Sequence, residues 1–150
     1  MERTLIIIKP DAVQRGLCGE ILSRFEARGL RIIGMKFMQV SQVLAEKHYA
    51  IHRERPFFGR LVQYITSAPV VVIALEGPNA VAAARKTIGA TRPHEAEAGT
   101  IRGDLALTVD YNLVHGSDSP ENGQIEVANF FDESELIHWT RVIDPWVLTT

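Results

Sequence analysis

Residues 4–8, Thr-Leu-Ile-Ile-Ile, form the stretch that most narrows what this chain can fold into. It is apolar at every position after the threonine and rich in β-branched side chains, so it reads as a strand buried on both faces. A surface strand alternates; this one does not, so it belongs in the interior of a sheet. The run stops at Lys9-Pro10-Asp11, where proline cannot continue a ladder. Lys9 is a charge at the tip of the most apolar segment in the protein.

Two further runs have the same character. Residues 30–40 are apolar on both alternations, which calls for two partners, the second of them another subunit in a chain this small. Residues 69–76 carry Val-Val-Val-Ile-Ala-Leu and stop at Gly77-Pro78. Between the strands lie helical patterns. Gly16 and Gly19 bracket a turn, and residues 20–28 are amphipathic, with Gly29 closing the helix. Ser41 is an N-cap for residues 42–50, which His48 and Tyr49 close. Arg55-Pro56-Phe57-Phe58-Gly59 breaks that helix, and residues 60–66 read as another. Phe57 and Phe58 make either a hydrophobic lip or part of the core. Asn79 caps a helix through Ile88, which Gly89 ends.

Residues 90–103 lack periodicity and read as a long functional loop. A short apolar alternation, Leu105, Leu107 and Val109, follows as the next strand. Ser119 and Pro120 then start a helix through Phe130, with Glu121 in its first turn. Asp132 with Glu135 makes a capping-box pattern for a final helix through Trp139. The apolar tail around Trp146 is expected to dock. The resulting order is an α/β (α+β) chain. It is a ferredoxin-like βαββαβ sandwich, with an antiparallel sheet and helices packed on one side. A small doubly wound sheet is the runner-up, but no glycine-rich phosphate turn follows the first strand.

At 150 residues the chain is expected to be one domain spanning residues 1–150. A net charge of −2 gives no support to a nucleic-acid role. Cys18 is the single cysteine, which suits a reducing compartment. Met1-Glu2-Arg3 before a short apolar run is neither a signal peptide nor a membrane span, so a cytoplasmic place and no membrane partner are expected.

Asn112-Leu113-Val114-His115-Gly116-Ser117-Asp118-Ser119 is the richest stretch chemically. It places an imidazole where a chain segment ends and a helix begins, beside a glycine that leaves room for a ligand. Neutral histidine is a nucleophile and a base at pH 7. Lys9, Arg85, Thr91, Arg92 and Arg102 are candidate phosphate ligands, since phosphate suits cationic, fork-shaped donors. Magnesium would bridge phosphate oxygens, with Asp118 the nearest carboxylate. Glu126, two turns into the following helix, is placed to orient the imidazole. His115, Ser117 and Asp118 are hydrolase residue types but lie too close together, and the G-x-S-x-G elbow is absent. A metal reading of the five histidines is set aside on their spacing.

These segments together resemble the nucleoside diphosphate kinases. The motifs are Asn112-x-x-His115-Gly116-Ser117-Asp118-Ser119, Ile8-Lys9-Pro10-Asp11 with Val13-Gln14-Arg15-Gly16, His48-Tyr49, Arg55-Pro56-Phe57-Phe58, and Gly99-Thr100-Ile101-Arg102-Gly103-Asp104. They run in order across residues 3–146. The resemblance implies that His115 takes the γ-phosphate of a nucleoside triphosphate and passes it to a diphosphate, with Mg2+ as cofactor. It implies that Lys9, Tyr49, Arg85, Thr91 and Arg102 hold the phosphates, and that Lys9 and Asn112 reach the sugar hydroxyls. It implies that Phe57 stacks on the base with Leu61 and Val109 nearby, that Glu126 orients His115, and that Ser117 supports that contact. A homo-oligomer, hexameric rather than tetrameric, is also implied. Arg92 stands where the family often has Asn, and residues 120–124 differ from many members. A binding module without turnover is the alternative, and an intact Lys9, His115 and Glu126 speak against it.

Overall fold

The computed structural model describes residues 1–149. Its sheet has four strands, β1 (Glu2–Ile8), β2 (Arg31–Met38), β3 (Val70–Gly77) and β4 (Val114–Gly116), in the order β2-β3-β1-β4. All three pairings are antiparallel. The most apolar run therefore lies inside the sheet, and Leu5, Ile6, Ile7 and Ile8 have no exposed surface. Among the described residues no helix is long and apolar enough to cross a membrane.

Among the described residues seven α-helices flank the sheet: α1 (Pro10–Gln14), α2 (Cys18–Ala27), α3 (Gln42–His48), α4 (Phe58–Ile65), α5 (Ala80–Ile88), α6 (Ile101–Leu105) and α7 (Pro120–Phe130). The sandwich is ferredoxin-like, but helices on one side only is corrected. One face of β1, through Ile6 and Ile8, packs with Ile21 and Phe25 of α2 and Ala84 and Ile88 of α5. The other, through Leu5 and Ile7, packs with Ala45 of α3, Val62 and Ile65 of α4, and Val127 and Phe130 of α7. A strand apolar on both faces needs cover on both, and helices α3, α4 and α7 supply the second layer.

Several local expectations hold. Ser41 and Ser119 cap α3 and α7, their hydroxyls accepting from Leu44 N (3.1 Å) and Asn122 N (3.1 Å). Gly29 (φ 101°) ends α2, and Gly89 (φ 92°) ends α5. Others shift. Helix α2 starts at Cys18, so Gly19 is helical rather than part of a turn. Asn79 sits at the N-cap of α5 in the left-handed region (φ 51°) without a side-chain bond. Glu2 from β1 caps the helix instead, accepting from Val81 N at 2.8 Å.

The fourth strand lies at Val114–Gly116, not across residues 105–112. Thr100 caps α6, its hydroxyl accepting from Gly103 N at 3.0 Å, so Leu105 ends a helix and Leu107 is 87% exposed. The irregular loop is correspondingly shorter. The capping box of Asp132 and Glu135 is present, but it closes only a 3-10 turn, Glu133–Glu135. The chain then runs along β2, where Ile137 N donates to Ile33 O (2.8 Å) and Trp139 Nε1 to Ile32 O (2.8 Å). Those tertiary bonds replace the helix. The tail docks through Asp144, which accepts from Arg31 (3.1 Å) and Arg141 (2.7 Å). Trp146 remains 89% exposed.

Helix α7 lies so close to β1 that a Cβ on Gly123 would stand 2.2 Å from the carbonyl oxygen of Arg3. Helix propensity alone favours alanine there by about 0.8–1.0 kcal/mol. The collision is with backbone, and overpacking of this kind costs about 1–3 kcal/mol or more. Gly123→Ala is therefore expected to lower the midpoint of urea unfolding with an unchanged slope; a raised midpoint would show that α7 has room to move.

Candidate active site

Strand alternation decides where the imidazole goes. In β4, Val114 enters the core beside α2 and α5, so its neighbour His115 faces the layer of α3 and α7. Glu126, two turns into α7, meets it there. The two groups are 2.9 Å apart, His115 Nε2 to Glu126 Oε1. The same carboxylate oxygen accepts from Ser117 Oγ at 2.7 Å, and that hydroxyl accepts from the buried Leu5 N at 3.0 Å. Burial alone would raise the Glu126 pKa. The hydrogen bond and positive charge of His115, with the Ser117 hydroxyl, outweigh it and hold the carboxyl below its ordinary value. An ionised acceptor on Nε2 places the neutral ring's proton on that nitrogen and leaves the Nδ1 lone pair free.

A group of cations stands nearby. Lys9, at the end of β1, donates from Nζ to Asn112 Oδ1 at 2.9 Å, and Asn112 Nδ2 donates to Thr91 O at 3.1 Å. Arg102, buried on α6, donates to the carbonyls of Asn112 (3.1 Å), Gly89 (3.3 Å) and Val114 (2.6 Å). Arg85 on α5 donates to Gly116 O at 3.3 Å. These bonds run to neutral oxygens, so they place the positive charge without neutralising it. Burial, and then the charge of Arg102, lower the Lys9 pKa to about 8, with Asp11 partly offsetting them. Burial, and then Arg85, lower Arg102 to about 10. Such crowding favours an anionic guest.

The other expected residues lie at the end of α3, on α4, in the turn before Asn112 and on the loops after α5 and β4. Tyr49 is half-buried at the end of α3; burial, and then the charge of Glu126, push its phenol up to about 12, so it stays a neutral donor. Phe57 is 37% exposed at the start of α4, whereas Phe58 packs on the core, so the lip and the core readings each hold for one ring. Leu61 is one turn further along α4. Val109 is 49% exposed in a 3-10 turn, Val109–Tyr111. Tyr111 packs edge-on against Tyr64 of α4 with centroids 5.9 Å apart, which holds that turn against the helix. Thr91 and Arg92 are exposed on the loop after α5. Asp118 is exposed too, with one oxygen accepting from Asn122 Nδ2 at 2.6 Å.

Two contributors escaped sequence reasoning. Asp11 accepts the N–H of Leu113 (3.1 Å) and the Tyr64 hydroxyl. Leu113 is held at φ 74°, strained for a branched side chain, and its carbonyl accepts from Lys9 N at 2.9 Å. That clamp sets the turn between Asn112 and His115. The second is His48, whose ring meets that of His115 edge-on with centroids 4.7 Å apart. Burial, and then the charge of His115, lower its pKa to about 3, so it is neutral at pH 7. His48 and His52 stand four residues apart, the spacing by which a helix offers two imidazoles to one metal. However, α3 ends at His48, and the His52 ring lies near Phe57 at 5.4 Å. Among the described residues the set the fold does assemble is His48, His115 and Glu126.

A ferredoxin-like sandwich carrying a histidine with one bare nitrogen, among cations held on carbonyls, defines a class: a phosphotransferase. Comparison with known proteins makes this specific. Residues 2–136 match the family model of nucleoside diphosphate kinase. The chain is 58% identical over 148 residues to the nucleoside diphosphate kinase of Thermomicrobium roseum, covering 99% of each, and 56% identical over 147 residues to that of Nostoc punctiforme, covering 98% of this chain and 99% of the relative. The nucleoside diphosphate kinase of Halobacterium salinarum, solved in complex with CDP, superposes with a TM-score of 0.95 at 45% identity and 99% coverage of both chains. A family protein from Babesia bovis gives 0.96 at 43% identity, covering 99% of this chain and 100% of that one. The chain belongs to the nucleoside diphosphate kinase family. It is an enzyme that transfers the γ-phosphate of a nucleoside triphosphate to a nucleoside diphosphate.

The Lys9 shift carries a sign that can be measured. The free amine loses its proton near pH 8, while a bound phosphate favours the charged form and raises that value. Binding of a nucleoside diphosphate at pH 8 should therefore take up protons, and affinity should fall as pH rises through that point. Calorimetry in buffers of differing ionisation enthalpy reads the uptake directly. Identical observed enthalpies in all buffers would mean that Lys9 does not meet the phosphates.

Proposed function

We propose that Nδ1 of His115 is the atom that carries the phosphoryl group. The observation behind this reading is the bond between Nε2 and the ionised Glu126, which leaves Nδ1 as the ring's free lone pair. The lone pair attacks the γ-phosphorus, the bond to the β-phosphate oxygen breaks, and the diphosphate leaves with the bonding electrons. A second diphosphate then reverses the step, giving ping-pong kinetics. As the ring gains positive charge, the nearby carboxylate stabilises it. Ser117 holds the carboxylate, and the Leu5 amide holds Ser117, so this geometry rests on the central strand.

Lys9, Arg85 and Arg102, with Tyr49 and Thr91, bind the phosphates, so catalysis is largely positioning and electrostatics. Lys9 and Asn112 also reach the sugar hydroxyls, and Phe57 stacks on the base with Leu61 and Val109 nearby. Stacking is nearly blind to base identity, so discrimination among bases should be weak. Mg2+ fits the site because it takes oxygen ligands, most of which the phosphates would supply. Asp118, with one oxygen uncommitted to Asn122, would be its protein contact, and the ion would neutralise phosphate charge. Residues 1–150 form one catalytic domain, and an unpaired Cys18 suits the reducing cytoplasm where nucleotides turn over.

The chemistry is tested by adding γ-labelled ATP without an acceptor. Label should stay on the protein, leave when a diphosphate is added, and vanish in His115→Ala; full labelling of that variant would place the chemistry elsewhere. Glu126→Ala should slow transfer by about 10²–10⁴ while nucleotide binding changes little.

The assembly is proposed to be a homo-oligomer, hexameric rather than tetrameric. Strand β2 lies at the sheet edge with Met35 51% and Phe37 66% exposed, and the tail leaves Trp146 uncovered. Beyond Ile33, where the later chain bonds to β2, apolar side chains along the edge favour a second copy. Light scattering at micromolar concentration should give six chains per particle, and a stable monomer would rule this out.

A further inference from the structure

We infer that His48, His115 and Glu126 form a binding site for a zinc-like divalent cation that silences the enzyme without blocking its nucleotide pocket. The inference rests on His115 being the nucleophile. Each of the three side chains offers one ligand atom, and these atoms lie within 4.8 Å of one another. Two imidazoles and a carboxylate are a zinc donor set of the kind that leaves a fourth position open. Magnesium, a hard ion that prefers oxygen, has little use for two imidazoles.

The geometry is close to what zinc needs. His115 Nε2 and Glu126 Oε1 already stand 2.9 Å apart. Zinc bonds of about 2.0–2.2 Å set tetrahedral donors roughly 3.3–3.6 Å from one another, so the pair opens slightly and His48 moves inward. The His48 ring is wedged against His115 and Phe130, with centroids 4.7 and 5.5 Å away. Its Nδ1 is buried with no hydrogen-bond partner among the described residues. A buried polar atom without a partner is a standing cost that a ligand would relieve.

The consequence follows from the tautomer. In the metal-free chain the proton is on Nε2 and the Nδ1 lone pair is free. A zinc ion bound to Nε2 takes that nitrogen's lone pair, and a neutral ring must then carry its proton on Nδ1. No proton leaves the ring; it changes sides. The nucleophilic lone pair is lost, whereas Lys9, Arg85, Arg102 and Phe57 are not zinc ligands and keep their places. Inhibition therefore falls on phosphoryl transfer and not on nucleotide affinity.

Zinc chloride alone, titrated into the full chain in a calorimeter, should bind at one site per chain. Cys18→Ser should bind it equally, and His48→Gln about 10–100-fold more weakly, the scale that loss of even a supporting metal partner carries. Nitrogen-15 NMR of the unaltered chain should show the His115 ring proton moving from Nε2 to Nδ1 as zinc is added, an outcome that depends on no variant. With γ-labelled ATP, excess Mg2+ and buffered free zinc, protein-bound label should fall about tenfold or more, as loss of the attacking lone pair demands. Diphosphate affinity in parallel dialysis should be unchanged, and a chelator should restore labelling. A chain that takes no label without zinc would overturn the nucleophile assignment itself. A labelled chain that binds no zinc, keeps its tautomer, or is inhibited equally as His48→Gln would overturn the zinc site, as would inhibition that acts only by displacing nucleotide.

Discussion

The bond from His115 to Glu126 depends on both residues being fixed to the same strand. His115 lies on β4, which pairs with β1 at Ile7, and α7 lies against β1 closely enough that Gly123 has no room for a side chain. Ser117 then ties the carboxylate to the Leu5 amide. Each of these attachments is to β1, whose four isoleucine and leucine side chains are wholly enclosed. The orientation of one imidazole is thus inherited from the best-packed element of the fold. A small domain can thus hold one side chain within a narrow angular range.

The positive side of the site is built differently. Lys9 and Arg102 are kept in place by amide and carbonyl oxygens, which fix direction but leave charge in excess. Burial, with the charge of Arg102 on Lys9 and of Arg85 on Arg102, makes both cations less comfortable than in water. Crowded cations held on neutral oxygens leave an excess of positive charge that an anion would offset. The left-handed Leu113 belongs to the same arrangement: it is tolerated because Asp11 and the Lys9 amide clamp it from both sides.

The outline of the fold was legible wherever local chemistry and packing agree. The strands at 4–8, 30–40 and 69–76, the serine caps of α3 and α7, and the glycine ends of α2 and α5 all appear in the structure. The misreadings share a cause. Residues 105–112 alternate in polarity like a strand, yet Thr100 caps a helix just before them and Leu107 is in solvent. Residues 133–139 carry a capping box, but the edge of β2 offers backbone partners that outcompete the helix. Asn79 is a good capping residue, but Glu2, distant in sequence, takes the role.

The sequence by itself determined which chemistry was possible: an imidazole beside a glycine, a lysine at the end of a buried strand, arginines on two later segments, and an acid two turns into a capped helix. Composition and order carry that information because each residue type has its own charge, donors and pKa. Tertiary structure decided which nitrogen of His115 is bare, because only the approach of α7 to β4 places a carboxylate on Nε2. It also decided that His48 stands beside His115, a neighbour that spacing along the chain could not show. Helices on both faces of the sheet followed for the same reason: an apolar strand records that it must be covered, while the covering elements are chosen by how the whole chain closes around it.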